Sequence, residues 1–494
     1  MRRRRLLACA AALVVPLVSG CNVGPRYVRP TVRSPAAFKE GAPEAYNSLP
    51  PGTWQPARPQ DAMLKGPWWR VFNEPELDAL EARLEVDNQT IAQSFQSFMA
   101  ARAQVNEARA GYYPTLTVNP SVNHSVGGAV GAGAAISGGG ATGAPVTTGG
   151  VTNFYALPLE ASWAPDLWDR VRNSVRQYQY AAQVSAADLE NTRLTEQAAL
   201  AVYYFELRGQ DSLQDLYDRT VAADKEALEL TRAQSETGVG TEEAVAQAEV
   251  TLENAEATGI GVATNRALYE HAMAMLIGQP ASSFAMPVRV LETPVPPIPI
   301  GVPSRLLQRR PDVAAAERTM AQANALIGVE MAAYYPSLTL TGSGGLESSA
   351  LGTLFSLPAL FWSLGASASE TIFDGGLRDA TVAQYKALYK ADVAAYRQTV
   401  LVAIQQVEDY VATLRILSRQ IARQEVATRS ARRYLDLATD RFKTGLDPYL
   451  NVITAQTTLL GDQQTLVTLR VSEMTAAVQL VQALGGGWDV SELP

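Results

Sequence analysis

The stretch AGYYPTLTV (Ala110–Val118) returns 222 residues later as AAYYPSLTL (Ala332–Leu340). Two further pairs follow in the same order at a spacing of 207 residues: ETGVGTEEAVAQAE (Glu236–Glu249) with KTGLDPYLNVITAQ (Lys443–Gln456), and AMLIG (Ala274–Gly278) with VQALG (Val481–Gly485). Three ordered matches predict an internal duplication of a half of about 200 residues. The change in spacing indicates about fifteen extra residues in the first copy. We expect them in the Gly/Ala/Thr-rich tract Val126–Gly150, as a surface loop.

Each YYP motif marks a change from helical to strand patterning, and in the first half a single helix is predicted from about Pro75 to Gly111. Proline disfavours helical geometry in the residue before it, and after Pro114 the apolar Leu116 and Val118 alternate with threonines. The pattern predicts four strands, over about 114–125, 152–163, 336–346 and 361–373. Such two-faced segments are typical of transmembrane β-strands. Aromatic residues cluster near the strand ends, as expected at membrane interfaces: Tyr112, Tyr113, Tyr155, Trp163, Tyr334, Tyr335, Phe361 and Trp362.

Two stretches are predicted to form unusually long helices. Asp166 to about Glu236 contains no proline, and Leu377 to about Lys443 contains neither proline nor glycine. At 1.5 Å per residue, each helix is roughly 100 Å long. The second helix carries two sets of apolar residues spaced by seven: Val393, Val400, Val407, Leu414 and Ile421, and Tyr396, Ala403, Tyr410 and Leu417. A sustained heptad predicts left-handed coiled-coil packing.

The N-terminus is predicted to be a lipoprotein signal peptide, residues 1–20. A basic segment, Arg2–Arg5, precedes a short apolar run and the sequence Val18-Ser19-Gly20-Cys21. That pattern makes Cys21 the expected lipidated first residue of the mature chain, and Asn22 favours the outer membrane. The alternative is an ordinary secretory signal in which Cys21 is incidental.

Composition excludes several other classes of protein. The net charge of −8 argues against nucleic acid as a partner. Two histidines, His124 and His271, are too few and too far apart for a typical zinc site, so no metal site is expected. The sequence contains no nucleophile elbow, phosphate-binding loop or zinc-protease motif, so we expect neither an enzyme nor a cofactor beyond the lipid on Cys21.

These features divide the chain into six parts. In order they are a signal peptide (1–20), a lipid-anchored linker or equatorial segment (21–75), a first repeat (76–279), a Pro-rich equatorial linker (280–303), a second repeat (304–486) and a C-terminal tail (487–494). The predicted fold class is an α+β membrane protein.

Four strands do not close a barrel, and an open edge in lipid leaves backbone groups unpaired. The strands are therefore expected to join those of other copies, and three copies give a twelve-strand β-barrel continued by a long α-helical coiled-coil barrel. The edge of a soluble β-sandwich is the alternative, but four strands do not close a sandwich between such long helices. A purely structural periplasmic coiled coil explains the helices but not the strands.

Several motifs together resemble the TolC-like outer-membrane efflux proteins, and most closely their NodT-type lipoprotein branch, which serves resistance-nodulation-division (RND) pumps. They are Trp68–Leu80 (WWRVFNEPELDAL), Arg309–Glu317 (RRPDVAAAE), both YYP motifs and the turns at Gly238 and Gly445. The resemblance covers nearly the whole mature chain. It implies a homotrimer in outer-membrane lipid that passes small molecules from a periplasmic adaptor and an inner-membrane pump to the exterior. The alternative is the duct of a type I protein secretion system.

The resemblance also implies roles for particular residues. The turns Gly238-Val239-Gly240 and Gly445-Leu446 match the periplasmic tips that meet the adaptor; helix capping by glycine is the alternative reading. Family members often have YLDVLDAQ after the second tip, where two carboxylates line the narrow entrance. Here Asn451 and Thr454 occupy those positions, and Asp447, Glu242 or Glu243 would have to supply any negative charge. A set of four residues is expected to cap and orient the first helix of the second half: Arg309, Pro311, Asp312 and Glu317.

Overall fold

The computed structural model describes residues 22–32, 35, 38–40, 66–126, 151–298 and 306–493. The predicted signal peptide, Cys21 and nearly all of the tract Val126–Gly150 lie outside these residues. The described chain forms two compact units, and each is taken separately below.

The smaller unit consists of residues 22–28, 102–180 and 321–390 and contains the β-sheet. Its strands are β1 (Thr115–Val118), β2 (Ser121–Val126), β3 (Val151–Trp163), β4 (Ser337–Ser348) and β5 (Leu360–Ser369). Strands β1 and β2 both pair antiparallel with β3, which pairs with β4, which pairs with β5.

The register gives the sheet one apolar and one polar face. Leu159 of β3 lies opposite Val118 of β1, and across β4 the next apolar position is Trp362 of β5. On the other face Ser343 of β4 lies opposite Ser363 of β5, and their hydroxyl oxygens are 2.9 Å apart. Among the described residues, β1, β2 and β5 each pair on one side only. The sheet formed by the described residues of a single chain therefore has two open edges.

Two strand predictions differ from the structure. The strand expected over about 114–125 is interrupted at Asn119-Pro120, because proline has no N–H to donate to β3. The register nevertheless continues unchanged on both sides of the break.

The strand expected over about 361–373 ends earlier, at Ser369. Ser369 lies opposite Ser337, the first residue of β4, so later residues have no partner in the ladder. The carbonyl oxygen of Thr371 instead accepts a hydrogen bond from Arg378 Nη2 at 2.6 Å.

Eight α-helices are described. They are α1 (Pro75–Asp87), α2 (Gln89–Ala110), α3 (Arg170–Glu236), α4 (Glu242–Leu276), α5 (Leu306–Arg309), α6 (Pro311–Met331), α7 (Leu377–Lys443) and α8 (Tyr449–Ala483). In this part of the chain no helix has the length and hydropathy needed to cross a membrane.

The long helices agree closely with the sequence prediction, with one difference. α7 has the predicted bounds, whereas α3 begins at Arg170 rather than Asp166. The carboxylate of Asp166 accepts hydrogen bonds from the backbone N–H groups of Val171 and Arg172, at 3.0 and 2.8 Å. Asp166 therefore caps the helix from outside it.

The larger unit consists of residues 29–101, 181–320 and 391–493, and its core is apolar. Trp68 and Phe72, on a short 3₁₀ helix, pack with Tyr204 and Phe205 of α3. Six of the nine heptad residues of α7 are buried, whereas Val393, Tyr410 and Leu417 are half-buried. Val407 is fully buried in this core. Val407 therefore packs against residues of its own chain, and the heptad contributes to the core of the single subunit.

Candidate functional site: the turns between the long helices

The first interhelical turn joins α3 to α4. Gly238 has φ +75°, a left-handed conformation that glycine adopts without steric cost. The N–H of Gly238 donates to Ser235 O at 3.0 Å, and the N–H of Val239 donates to Gln234 O at 2.9 Å. These two bonds form a Schellman motif, which satisfies the last carbonyls of α3. Thr241 then caps α4, because its hydroxyl accepts the N–H of Ala244 at 3.2 Å.

The second turn, between α7 and α8, repeats this geometry. Gly445 has φ +72°. Its N–H donates to Phe442 O at 2.9 Å, and the N–H of Leu446 donates to Arg441 O at 2.9 Å. Pro448 takes the place of Thr241 before the next helix and makes no side-chain cap. The helix-capping role of both glycines is therefore present.

The two turns lie side by side. A cavity of about 570 Å³ separates them, lined by Val239 and Gly240 on one side and by Gly445 and Tyr449 on the other. A small apolar cluster joins the four helices beside it, with Leu228, Ala248, Leu252, Tyr449 and Val452 buried. The residue after each glycine is apolar yet exposed, 79% for Val239 and 69% for Leu446. The backbone thus makes both turns while the apolar side chains face outward.

The residues expected at the entrance lie directly after the second turn. Asp447 forms an ion pair with Arg441, with oxygen–nitrogen distances of 2.6 and 3.1 Å. The hydrogen bond from Arg441 lowers the pKa of Asp447, and a hydrogen bond with the Asn451 side chain lowers it further. Thr454 Oγ1 donates to Leu450 O at 2.8 Å. Asp447 is therefore ionised, but its negative charge has a cation directly beside it.

The acidic pair of the first copy has a different setting. Glu242 and Glu243 occupy the first turn of α4, where carboxylates interact favourably with the helix dipole. Both are exposed. Within the described chain, no group of three or more histidine, cysteine, aspartate or glutamate residues is arranged to hold a metal ion.

The sequence profile of the outer membrane efflux proteins matches residues 80–279 and 302–486, which are most of the chain. This chain belongs to the outer membrane efflux protein family. The predicted family and an outer-membrane efflux function are therefore confirmed. Its membership in the lipoprotein branch stays a prediction.

A curated relative and two solved structures match this efflux protein over nearly its whole length. The toluene efflux pump outer membrane protein TtgF of Pseudomonas putida is 29% identical over 478 residues, covering 97% of this chain and 96% of the relative. The solved outer-membrane channel OprN has a TM-score of 0.82 at 26% identity, over 95% of this chain and all of that chain. The CmeC outer membrane channel of Campylobacter jejuni has a TM-score of 0.84 at 22% identity, covering 96% of each chain. The predicted fold class is confirmed.

The duplication of this efflux protein produces a second matched pair of contacts, which the sequence did not reveal. A single helix was expected from about Pro75 to Gly111, but Asn88 divides it by capping α2, since its Oδ1 accepts the N–H of Ile91 at 2.9 Å. Asn88 Nδ2 also donates to Leu276 O at 2.8 Å.

Arg310 occupies the equivalent place in the second half. Its Nη1 donates to Ala483 O at 2.9 Å, and Ala483 follows Leu276 by the repeat spacing of 207 residues. Arg310 also forms an ion pair with Asp312 at 2.7 Å, and Pro311 is the first residue of α6. Pro311 and Asp312 thus lie at the start of α6, the place expected of them, and the bond to the end of α8 comes from Arg310.

A glycine completes each of these contacts. Gly278 has φ +69° and lies against the backbone of Asp87; Gly485 has φ +93° and lies against the backbone of Arg309. A Cβ atom on Gly485 would come 2.7 Å from the Arg309 carbonyl carbon, where ordinary contacts begin at 3.4 Å. Each pair therefore needs glycine for two reasons, its left-handed φ and the close approach.

Buried charges hold the Pro-rich segment against α3. Arg208 and Asp211 are 1% and 0% exposed, and they are 2.9 Å apart. Arg208 Nη1 also donates to Pro287 O at 2.7 Å, and Asp211 accepts the N–H of Arg289 at 3.0 Å. Arg266 of α4 adds a second cation, 2.7 Å from Asp211. The sequence signal for this buried cluster is an Arg-x-x-Asp pair inside a predicted long helix. Such pairs usually lie on the solvent-exposed face of a helix, so the pair alone does not predict burial.

Proposed function

We propose that this protein is the outer-membrane channel of a tripartite efflux system. It conducts small molecules passively from an RND pump and its periplasmic adaptor to the exterior. The sheet carries this proposal, because it has one apolar face, one hydroxyl-lined face and two open edges. An apolar face suits lipid, and a hydroxyl-lined face suits an aqueous path. Passive conduction involves no covalent step, so the protein is not an enzyme.

The open edges favour a shared barrel. In lipid, unpaired backbone N–H and C=O groups cost several kcal/mol each. Counting β1 and β2 as one interrupted strand, each chain supplies four, and a homotrimer supplies twelve. Native mass spectrometry of the detergent-extracted protein is expected to give a trimer, and a stable monomer would contradict the shared barrel.

We propose small molecules rather than proteins as the cargo. Two relatives are named a toluene efflux pump protein and, in Pseudomonas aeruginosa, a pyoverdine export protein. Deleting the gene in the native host is expected to raise susceptibility to drugs and solvents without changing the secreted proteins. Unchanged susceptibility together with the loss of a secreted protein would favour the type I secretion duct.

We propose that the two turns dock the adaptor. Val239 and Leu446 are exposed apolar side chains, and the hydrogen bonds that form the turns involve only backbone atoms. The cavity of about 570 Å³ lies between the two turns. Removing apolar contact area from an interface weakens binding in proportion to the area lost. These two side chains are therefore expected to contribute to affinity for the adaptor and not to folding.

The docking experiment replaces both side chains and leaves the glycines intact. Val239→Ser with Leu446→Ser is expected to reduce drug tolerance in cells that lack other channels, at unchanged protein level. The matched control is Val250→Ser, which removes another exposed valine, 61% exposed, from the surface of α4. Normal tolerance in the double variant would remove the turns from the adaptor interface.

We propose an entrance that binds multivalent cations weakly. Asn451 and Thr454 are neutral, and the carboxylate of Asp447 is held by Arg441. Symmetric rings of free carboxylates concentrate cations and are blocked by multivalent ones. Pairing with arginine removes most of that attraction, so packing of the helices has to close the entrance.

Conductance in a planar bilayer with a trivalent-cation titration tests this entrance. The wild type is expected to show weak block, and Arg441→Gln strong block, because Asp447 is then uncompensated. Adding Asp447→Asn to Arg441→Gln is expected to restore weak block. Strong block in the wild type that persists after neutralising Asp447, Glu242 and Glu243 would contradict the account.

A further inference from the structure

A cavity of about 480 Å³ lies in the larger unit, between α3, α7, α8 and the Pro-rich segment. Apolar side chains from all four elements line it, among them Leu216, Leu291, Leu435, Leu459, Leu460 and Val467. Its volume lies within the usual range for small-molecule sites, and such sites combine apolar walls with a few polar groups. The polar groups of this cavity therefore determine which ligand it suits.

Asp224 is the buried charged group of the cavity, with 2% of its surface exposed. Gln456 Nε2 donates a hydrogen bond to its Oδ1 at 3.1 Å. Within the described chain, no lysine or arginine forms an ion pair with Asp224. A buried carboxylate without a cation is costly, and burial raises the pKa of Asp224 to about 6.

Gln456 presents a second acceptor beside this carboxylate. Its Oε1 is buried and has no hydrogen-bond partner among the described residues. Most buried polar atoms in proteins have a partner, so an orphaned acceptor needs an explanation. Asp224 and Gln456 together offer mainly acceptors, because Gln456 Nε2 already donates one of its two N–H groups to Asp224 Oδ1.

The other charged groups around the cavity are largely paired. Arg219 forms an ion pair with Asp215 at 2.7 Å, and Arg470 forms one with Glu425 at 3.0 Å. Arg432 and Asp436 are exposed on α7. The rim is thus close to neutral, and the unmatched charge lies at the buried carboxylate.

We propose that this cavity binds a protonated primary amine that carries an apolar body. The ammonium group has three N–H donors, which match Asp224 Oδ2 and Gln456 Oε1, while the apolar body packs against the leucines. A neutral alcohol satisfies at most one acceptor and leaves the charge unmatched, and a carboxylate repels Asp224. The site lies in the larger unit, among the long helices and the Pro-rich segment, whereas the sheet belongs to the smaller unit.

The test uses three compounds of one shape, adamantylamine, adamantanol and adamantane carboxylate, with the full-length protein in nanodiscs. Isothermal titration calorimetry at pH 7.5 is expected to detect the amine, with binding of the alcohol and the carboxylate at least about tenfold weaker. Asp224→Asn preserves size and the acceptor for Gln456, and is expected to weaken amine binding about tenfold. Asp218→Asn, at an exposed position of α3, is the matched control and is expected to change nothing.

A second pair of variants tests the cavity itself. Ala223 lines the cavity and its neighbour Ala222 does not, although both are exposed residues of α3. Ala223→Trp is expected to abolish amine binding, and Ala222→Trp to leave it unchanged. Equal binding of amine and alcohol, or amine binding unaffected by both Asp224→Asn and Ala223→Trp, would overturn the proposal and indicate partition into lipid.

Discussion

Replacing Gly485 by alanine tests the contact that ends the second repeat. Gly485 combines φ +93° with close approach to the backbone of Arg309. A non-glycine residue in left-handed geometry costs about 1–2 kcal/mol. Forcing an extra carbon into a packed contact adds about 1–3 kcal/mol. The expected loss is therefore roughly 2–5 kcal/mol, and the shift that relieves the overlap also pulls Arg310 from Ala483 O.

Thermal unfolding measures this loss. Unfolding entropy is about 2.1 cal/mol/K per residue, which gives roughly 1 kcal/mol/K for a chain of this length. Gly485→Ala is therefore expected to lower Tm by about 2–5 °C at a fixed scan rate. Gly278→Ala is expected to lower it similarly, because Gly278 makes the equivalent contact with Asp87.

Gly461→Ala is the matched control. Gly461 lies inside α8, and a Cβ there meets no atom within 4 Å. Alanine is preferred over glycine in a helix by about 1 kcal/mol, so this variant is expected to melt at or slightly above the wild-type temperature. If Gly485→Ala had the same Tm as Gly461→Ala, the close approach of Gly485 to Arg309 would contribute nothing to stability, which would contradict the prediction.

Three further outcomes are expected. Cys21→Ser is expected to abolish incorporation of labelled palmitate, whereas continued labelling would place the lipid elsewhere. Val407→Asp puts a carboxylate into the core of the larger unit, so we expect a protease-resistance assay to show loss of the folded subunit. A folded monomer would show that the heptad of α7 serves assembly alone. For Asp224 the folded-state pKa of about 6 exceeds the ordinary 3.8, so ionisation destabilises the folded protein above pH 6 and not below about pH 4. Asp224→Asn is therefore expected to raise stability by roughly 2–3 kcal/mol at pH 8 and to leave it unchanged near pH 4, as denaturant titrations at both pH values would show.

Periodicity in the sequence was sufficient to predict the large elements. Alternation after each YYP motif located the strands, and the heptad of α7 located buried residues such as Val400 and Val407. These signals are strong because a period of two or seven is repeated many times in one segment. The element boundaries that the sequence predicted wrongly depend on single residues. Pro120 interrupts a predicted strand, and Asn88 divides a predicted helix whose apolar pattern continues across it.

The contacts of the candidate site were less predictable. The left-handed glycines follow from the turn motif, since few other residues adopt that geometry. The pairing of Asp447 with Arg441 does not follow from the sequence, because the two residues are six positions apart on either side of a turn whose path must first be known. The equivalence of Asn88 and Arg310 was hidden for another reason. Different side chains donate to the same carbonyl position, so the contact is repeated while the residue type is not.

In both interhelical turns, a left-handed glycine and backbone hydrogen bonds make the reversal, so the largely exposed side chains of Val239 and Leu446 contribute little to folding. Mutations at these two positions are therefore nearly neutral for stability. Such substitutions can accumulate one at a time during evolution while every variant remains folded. If the turns dock the adaptor as proposed, stability and partner choice depend on different atoms, and selection can act on each independently.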